Sequence, residues 1–119
     1  MRHQEKRQHP RHRLKLEVDF RVLKDRKEVE KFLQNLEHEK SGVTEDVSLG
    51  GLYLSCGHSL TEGDIVQMDV KAPGHHDSLK AYAEVVWSDP RGGGFKFLSM
   101  SDNDRKFLDD YLTKQNSDE

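Results

Sequence analysis

The chain has 119 residues, a formal net charge of −3, and charged and hydrophobic residues in nearly equal shares of 34% and 33%. That length fits one domain with a modest core, and no apolar run approaches the roughly 20 residues of a membrane helix. The acidic balance argues against a general nucleic-acid coat, the lone Cys56 against a disulfide framework, and the polar opening Met1–Lys6 against a secretory leader, so a cytoplasmic protein without membrane insertion is expected.

Charge is unevenly placed. Within residues 1–13, Arg2, Lys6, Arg7, Arg11 and Arg13 stand against Glu5 alone. Pro10 withdraws an N–H and steers His9 away from the α region, so Arg7 and Arg11 sit on an extended arm rather than one helix face. Guanidinium forks grip phosphate bidentately and also pair with guanine O6 and N7. Residues 1–13 are read as a flexible basic arm. Such an arm on an acidic chain suits a small anionic ligand better than a long polyanion.

From Leu14 to Val22, apolar residues alternate with Lys15, Glu17, Asp19 and Arg21, the pattern of a strand with one buried face. After Asp25 the period lengthens. Val29, Phe32, Leu33 and Leu36 recur at helical spacing, and Ser41-Gly42 supplies a stop, so an amphipathic helix is predicted over 27–40. Short strands then follow at regular intervals: Val43–Val47, a run through Leu52, Leu54 and Cys56, and one through Val66, Met68 and Val70 after a turn at Thr61–Asp64. Pro73-Gly74 breaks the chain. Leu79, Ala81, Ala83, Val85 and Trp87 alternate through a long late strand, which places Trp87 on the core phase, with a place beside a ligand as the alternative. Asp89–Gly94 is read as a turn, and Phe95–Leu98 returns. Ser101 with Asp104 caps a final helix whose stripe is Phe107, Leu108, Tyr111 and Leu112. The expected fold is mainly β: a small barrel spanning 14–116 with an inserted and a C-terminal helix.

Catalysis finds little support. His75-His76 are neighbours whose side chains diverge on an extended chain, and Cys56 has no zinc-type companion, so no metal site is expected. Gly92-Gly93-Gly94 lacks the Gly-Lys-Ser/Thr ending of a phosphate loop. No nucleophile elbow or paired-carboxylate pattern is present, and an enzyme is not expected. A single-stranded nucleic-acid module would need exposed aromatics interleaved with cations, whereas the aromatics here fall mostly on apolar phases.

One further stretch stands out, Asp46-Val47-Ser48-Leu49-Gly50-Gly51. Asp46 and Ser48 are two apart, so on an extended backbone both leave the same face. Gly50 and Gly51 allow a bend or positive φ and let a flat ligand approach bare backbone. These are also ordinary turn residues.

Arg7-Gln8-His9-Pro10-Arg11 followed by Asp46-x-Ser48-x-x-Gly51 resembles the paired RxxxR and [DN]xSxxG motifs of the PilZ domain, a bacterial receptor for cyclic di-GMP. Val85-Val86-Trp87, Gly94–Phe97 and Asp104–Leu108 follow the later part of the same pattern, so the resemblance covers nearly the whole chain. It implies a stand-alone, six-stranded antiparallel barrel that binds cyclic di-GMP and needs no cofactor. Arg7 and Arg11 would clamp guanine edges and phosphates, Asp46 would accept from guanine N–H groups, Ser48 would add a hydrogen bond, and Gly51 would give steric room. Lys6, Gly50 and Trp87 complete the implied ligand-binding set. The arm would fold over the barrel on binding and alter the surface offered to an effector protein. The helix at 27–40 departs from the resembled pattern. The rival expectation is a PilZ-like adaptor that binds no nucleotide.

Overall fold

The computed structural model describes residues 10–23, 40–74 and 78–117. Lys6, Arg7 and the predicted helix at 27–40, apart from Lys40, lie outside them. Six strands, β1 (Glu17–Leu23), β2 (Lys40–Val47), β3 (Gly51–Ser55), β4 (Ile65–Lys71), β5 (Leu79–Asp89) and β6 (Gly92–Met100), precede helix α1 (Asp102–Ser117). The strands close into an antiparallel barrel in the order β1-β2-β3-β6-β5-β4, with β4 returning to β1.

Register explains the core. Val18 faces Val70, Phe20 faces Met68 and Val22 faces Val66 across β1–β4. On β5 the facing residues Leu79, Ala81 and Ala83 lie opposite Val70, Met68 and Val66, and setting alanines against Met68 and Val66 suits the narrow inside of a small barrel. The Phe20 and Phe95 rings meet edge to face at 6.0 Å inside. Buried Leu108 and Leu112 add the apolar stripe of α1 to this core, flanked by the part-buried Phe107 and Tyr111. Ser101 caps the helix as expected, its hydroxyl accepting from the Asp104 N–H at 3.1 Å.

Glycine marks where strands come too close for side chains. A Cβ on Gly92 would lie 1.9 Å from the Leu54 carbonyl oxygen, and one on Gly94 would lie 2.1 Å from the Trp87 indole nitrogen. The three glycines expected in a turn are therefore strand residues of β6, and the turn shrinks to Pro90 and Arg91. Ser41 and Gly42, expected to stop a helix, likewise belong to β2, paired with Asp19 and Val18.

Three register slips shift the alternation, one of them between Tyr82 and Ala83 in the β5–β6 pair. In β2 the register slips between Thr44 and Asp46, which face Leu54 and Tyr53. In β5 it slips between Val85 and Trp87. One extra residue reverses the facing of everything after it, so Trp87 leaves the core phase and stands 39% exposed.

The segment before β1 is part of the barrel wall. His12 and Val47 exchange both backbone hydrogen bonds at 2.9 Å, so docking begins two residues inside the 1–13 stretch expected to be a free arm. Beyond it, the buried Thr44 hydroxyl accepts from the Leu16 N–H at 2.8 Å and donates to the Leu14 carbonyl.

Candidate functional site

The His12–Val47 bridge lays the end of the basic arm along the outer edge of β2. Extended backbone then sends Arg11, Arg13 and Lys15 to one side at period two. The bulge at Glu45 matters equally. With Thr44 turned into the core and Asp46 set against Tyr53, the consecutive carboxylates Glu45 and Asp46 are both left half-exposed.

Opposite charges meet across this edge. Arg11 Nη2 lies 2.8 Å from Asp46 Oδ1, and Arg11 Nε donates to the same oxygen at 3.2 Å. Lys15 Nζ approaches Glu45 Oε1 at 3.4 Å. The Arg11 and Asp46 side chains are 37% and 27% exposed, so solvent screens the pair and its worth to stability is at most about 1 kcal/mol. Arg13 has no ion-pair partner among the described residues.

Ser48 and the glycines do other work. β2 ends at Val47, and Ser48, 3% exposed, does not share the exposure of Asp46. Its hydroxyl accepts from the Gly50 N–H at 3.1 Å, and its own N–H donates to the Gly51 carbonyl at 2.8 Å, closing a tight turn. The positive-φ glycines among the described residues are Gly57, Gly63 and Gly74, so neither Gly50 nor Gly51 takes a positive φ, although Gly50 lies in the bend that its sequence allows. A Cβ on Gly51 would lie 1.9 Å from the Phe95 carbonyl oxygen, so strand packing alone already demands glycine there. Gly50 ties the turn to β6 through its carbonyl, which accepts from Phe97 N–H at 2.9 Å.

Beyond Asp46 lies a cleft of about 370 Å³ lined by Arg13, Lys15, Glu45, Asp46 and Tyr53. Tyr53 is fixed at both ends. Its hydroxyl donates to Asp89 Oδ2 at 3.1 Å and accepts from Arg91 Nη2 at 2.9 Å, and its ring packs against Trp87 with centroids 4.9 Å apart. Asp89 Oδ1 in turn accepts from the Arg91 and Gly92 N–H groups at 2.8 and 2.9 Å. These backbone donors, Arg91 foremost, hold the Asp89 carboxyl below its ordinary 3.8 against the opposing effect of burial. Hydrogen bonding to Tyr53 raises the Arg91 guanidinium still further above its usual range.

The structure thus brings Arg11, Asp46, Ser48, Gly50 and Gly51 into one neighbourhood and sets Trp87 behind Tyr53. Reading by motif missed Arg13, Lys15, Glu45, Tyr53 and Arg91. The cations at 11, 13 and 15 were visible as a period-two ladder, and Tyr53 as the outward residue between Leu52 and Leu54.

The family model of the PilZ domain matches residues 5–114. Among solved structures, the fold is similar to the Bacillus subtilis Inhibitor of motility (MotI/DgrA), with a TM-score of 0.72 and 16% identity over 94% of this chain and 52% of that one. It is also similar to the PilZ domain of CeSA from a cellulose-synthesizing bacterium, with a TM-score of 0.61 and 16% identity over 90% of this chain and 98% of that one. The chain spans about half the length of the Bacillus protein. No curated protein matches it. With a family model spanning nearly its whole length and a six-stranded barrel that carries both motifs, the chain belongs to the PilZ domain family.

Proposed function

We propose that the chain is a receptor for cyclic di-GMP, as PilZ domains typically are, and that it acts by binding rather than catalysis. The observation that supports this most is the Arg11–Asp46 contact at 2.8 Å. It joins the second arginine of RxxxR to the acid of DxSxxG across 35 positions, and it does so on an open edge where the pair contributes little to folding. Arg11 would pair with a guanine Hoogsteen edge or a phosphate, and Asp46 would accept guanine N–H groups. Arg7 and Lys6 would join them from the arm, while Ser48, Gly50 and Gly51 hold the turn that positions Asp46. Ligand capture would change how residues 1–13 lie against the barrel and so alter the surface met by an effector protein. No helix among the described residues is long and apolar enough to cross a membrane.

Calorimetric titration of the Arg7→Ala and Arg11→Ala variants tests the assignment. Each loses a charge-assisted contact of about 1.5–3 kcal/mol, or about ten- to hundred-fold in affinity. Wild-type-like curves for both variants would refute it.

A further inference from the structure

Arg13 stands between two cations that each have a carboxylate, Arg11 on Asp46 and Lys15 on Glu45, yet has no ion-pair partner among the described residues. It lines the cleft without an ion pair to any described residue. Across that cleft Tyr53 is held in advance, its hydroxyl by Asp89 and Arg91 and its ring against Trp87. An aromatic ring so fixed loses little conformational freedom when a flat partner stacks on it. Tyr53 is also the cross-strand partner of Asp46, which puts their β-carbons about 5 Å apart. A base whose edge reaches the Asp46 carboxylate is then within reach of the Tyr53 ring. The cleft volume of about 370 Å³ lies within the range of small-molecule sites.

We infer that this cleft is the second half of the ligand site, with Tyr53 the platform on which a guanine base stacks and Arg13 the cation that takes a phosphate. The inference rests on the cyclic di-GMP reading. Arg11 and Asp46 read the base edge, Tyr53 supports the base face, and Arg13 neutralises the charge that follows. Arg91 fixes the tyrosine at its hydroxyl end.

The test titrates cyclic di-GMP into wild type, Tyr53→Leu, Tyr53→Phe and Arg13→Ala by calorimetry, and follows the Tyr53 ring protons of wild type by NMR. Tyr53→Leu and Arg13→Ala should each bind about ten-fold more weakly, Tyr53→Phe, which keeps the ring but frees its hydroxyl end, should lose less than Tyr53→Leu, and Arg13→Ala should lose part of the salt dependence. In wild type the ring protons should shift upfield at saturation, a readout that stands even if Tyr53→Leu fails to fold. Unshifted ring protons, or full affinity in folded Tyr53→Leu and Arg13→Ala, would overturn this inference alone. A wild type that takes up no cyclic di-GMP would overturn the proposed function and this inference with it.

Discussion

On the inward face of the β2–β3 pair, Thr44, Val47, Leu52 and Leu54 are sealed from solvent. One residue away along the same strands, Glu45, Asp46 and Tyr53 stand half-exposed around a charged cleft. The inward set gains from removing apolar surface from water; the outward set is polar, and its screened Arg11–Asp46 pair adds little to folding. A single bulge at Glu45 separates them by placing two acids side by side on the outer edge. Stability and ligand binding should therefore respond to different substitutions only one position apart.

The sharpest way to break that contrast is Leu54→Ala. Leu54 is fully buried, and truncating such a leucine costs about 2–5 kcal/mol. Denaturant unfolding should show this loss while ligand affinity, corrected for the folded fraction, stays near wild type. Asp46→Ala should do the reverse. Its screened ion pair is worth at most about 1 kcal/mol to folding, but affinity for cyclic di-GMP should fall about ten-fold or more. Equal losses of stability from both variants would mean that the two faces are not independent.

Thr44→Val probes a polar member of the inward face. The substitution keeps the shape but strips the Leu16 N–H and Leu14 carbonyl of their buried partner, a cost of about 1–3 kcal/mol. Thermal melting should register it without a change in ligand selectivity.

The smallest effect concerns pH. Asp89 is held below 3.8 chiefly by the Arg91 N–H. A carboxyl depressed in the folded state stabilises above its unfolded pKa, and that contribution vanishes as pH falls through the folded pKa. Asp89→Asn should lower melting slightly near neutrality, where the ionised carboxylate contributes, and remove this hairpin's share of the loss below about pH 4. Identical acid profiles for wild type and variant would remove Asp89 from the account.

Much of this architecture is legible in the sequence, and the failures have definite causes. Alternation in Val18–Val22, Val66–Val70 and Leu79–Val85 reveals the barrel strands because each has one wet and one dry face. Alternation alone sends Trp87 into the core because the bulge just before it is invisible to a period-two count. The Gly92–Gly94 run read as a turn because glycine is the commonest turn residue. Its real cause is close approach to the distant Leu54 carbonyl and, across the hairpin, to the Trp87 indole. Ser48 looked outward by spacing from Asp46, but the strand ends between them. RxxxR and DxSxxG were readable as patterns, whereas the cleft beyond them depends on register: only the pairing of Asp46 with Tyr53 brings that ring to the site.

The central claim is that the joined motifs recognise cyclic di-GMP in particular. Calorimetric titration of the wild-type chain with cyclic di-GMP, and separately with GTP and cyclic GMP, tests it most directly. The account predicts saturable heat for cyclic di-GMP and none for the two controls over the same concentrations. No heat from cyclic di-GMP, or equal binding of GTP, would contradict it.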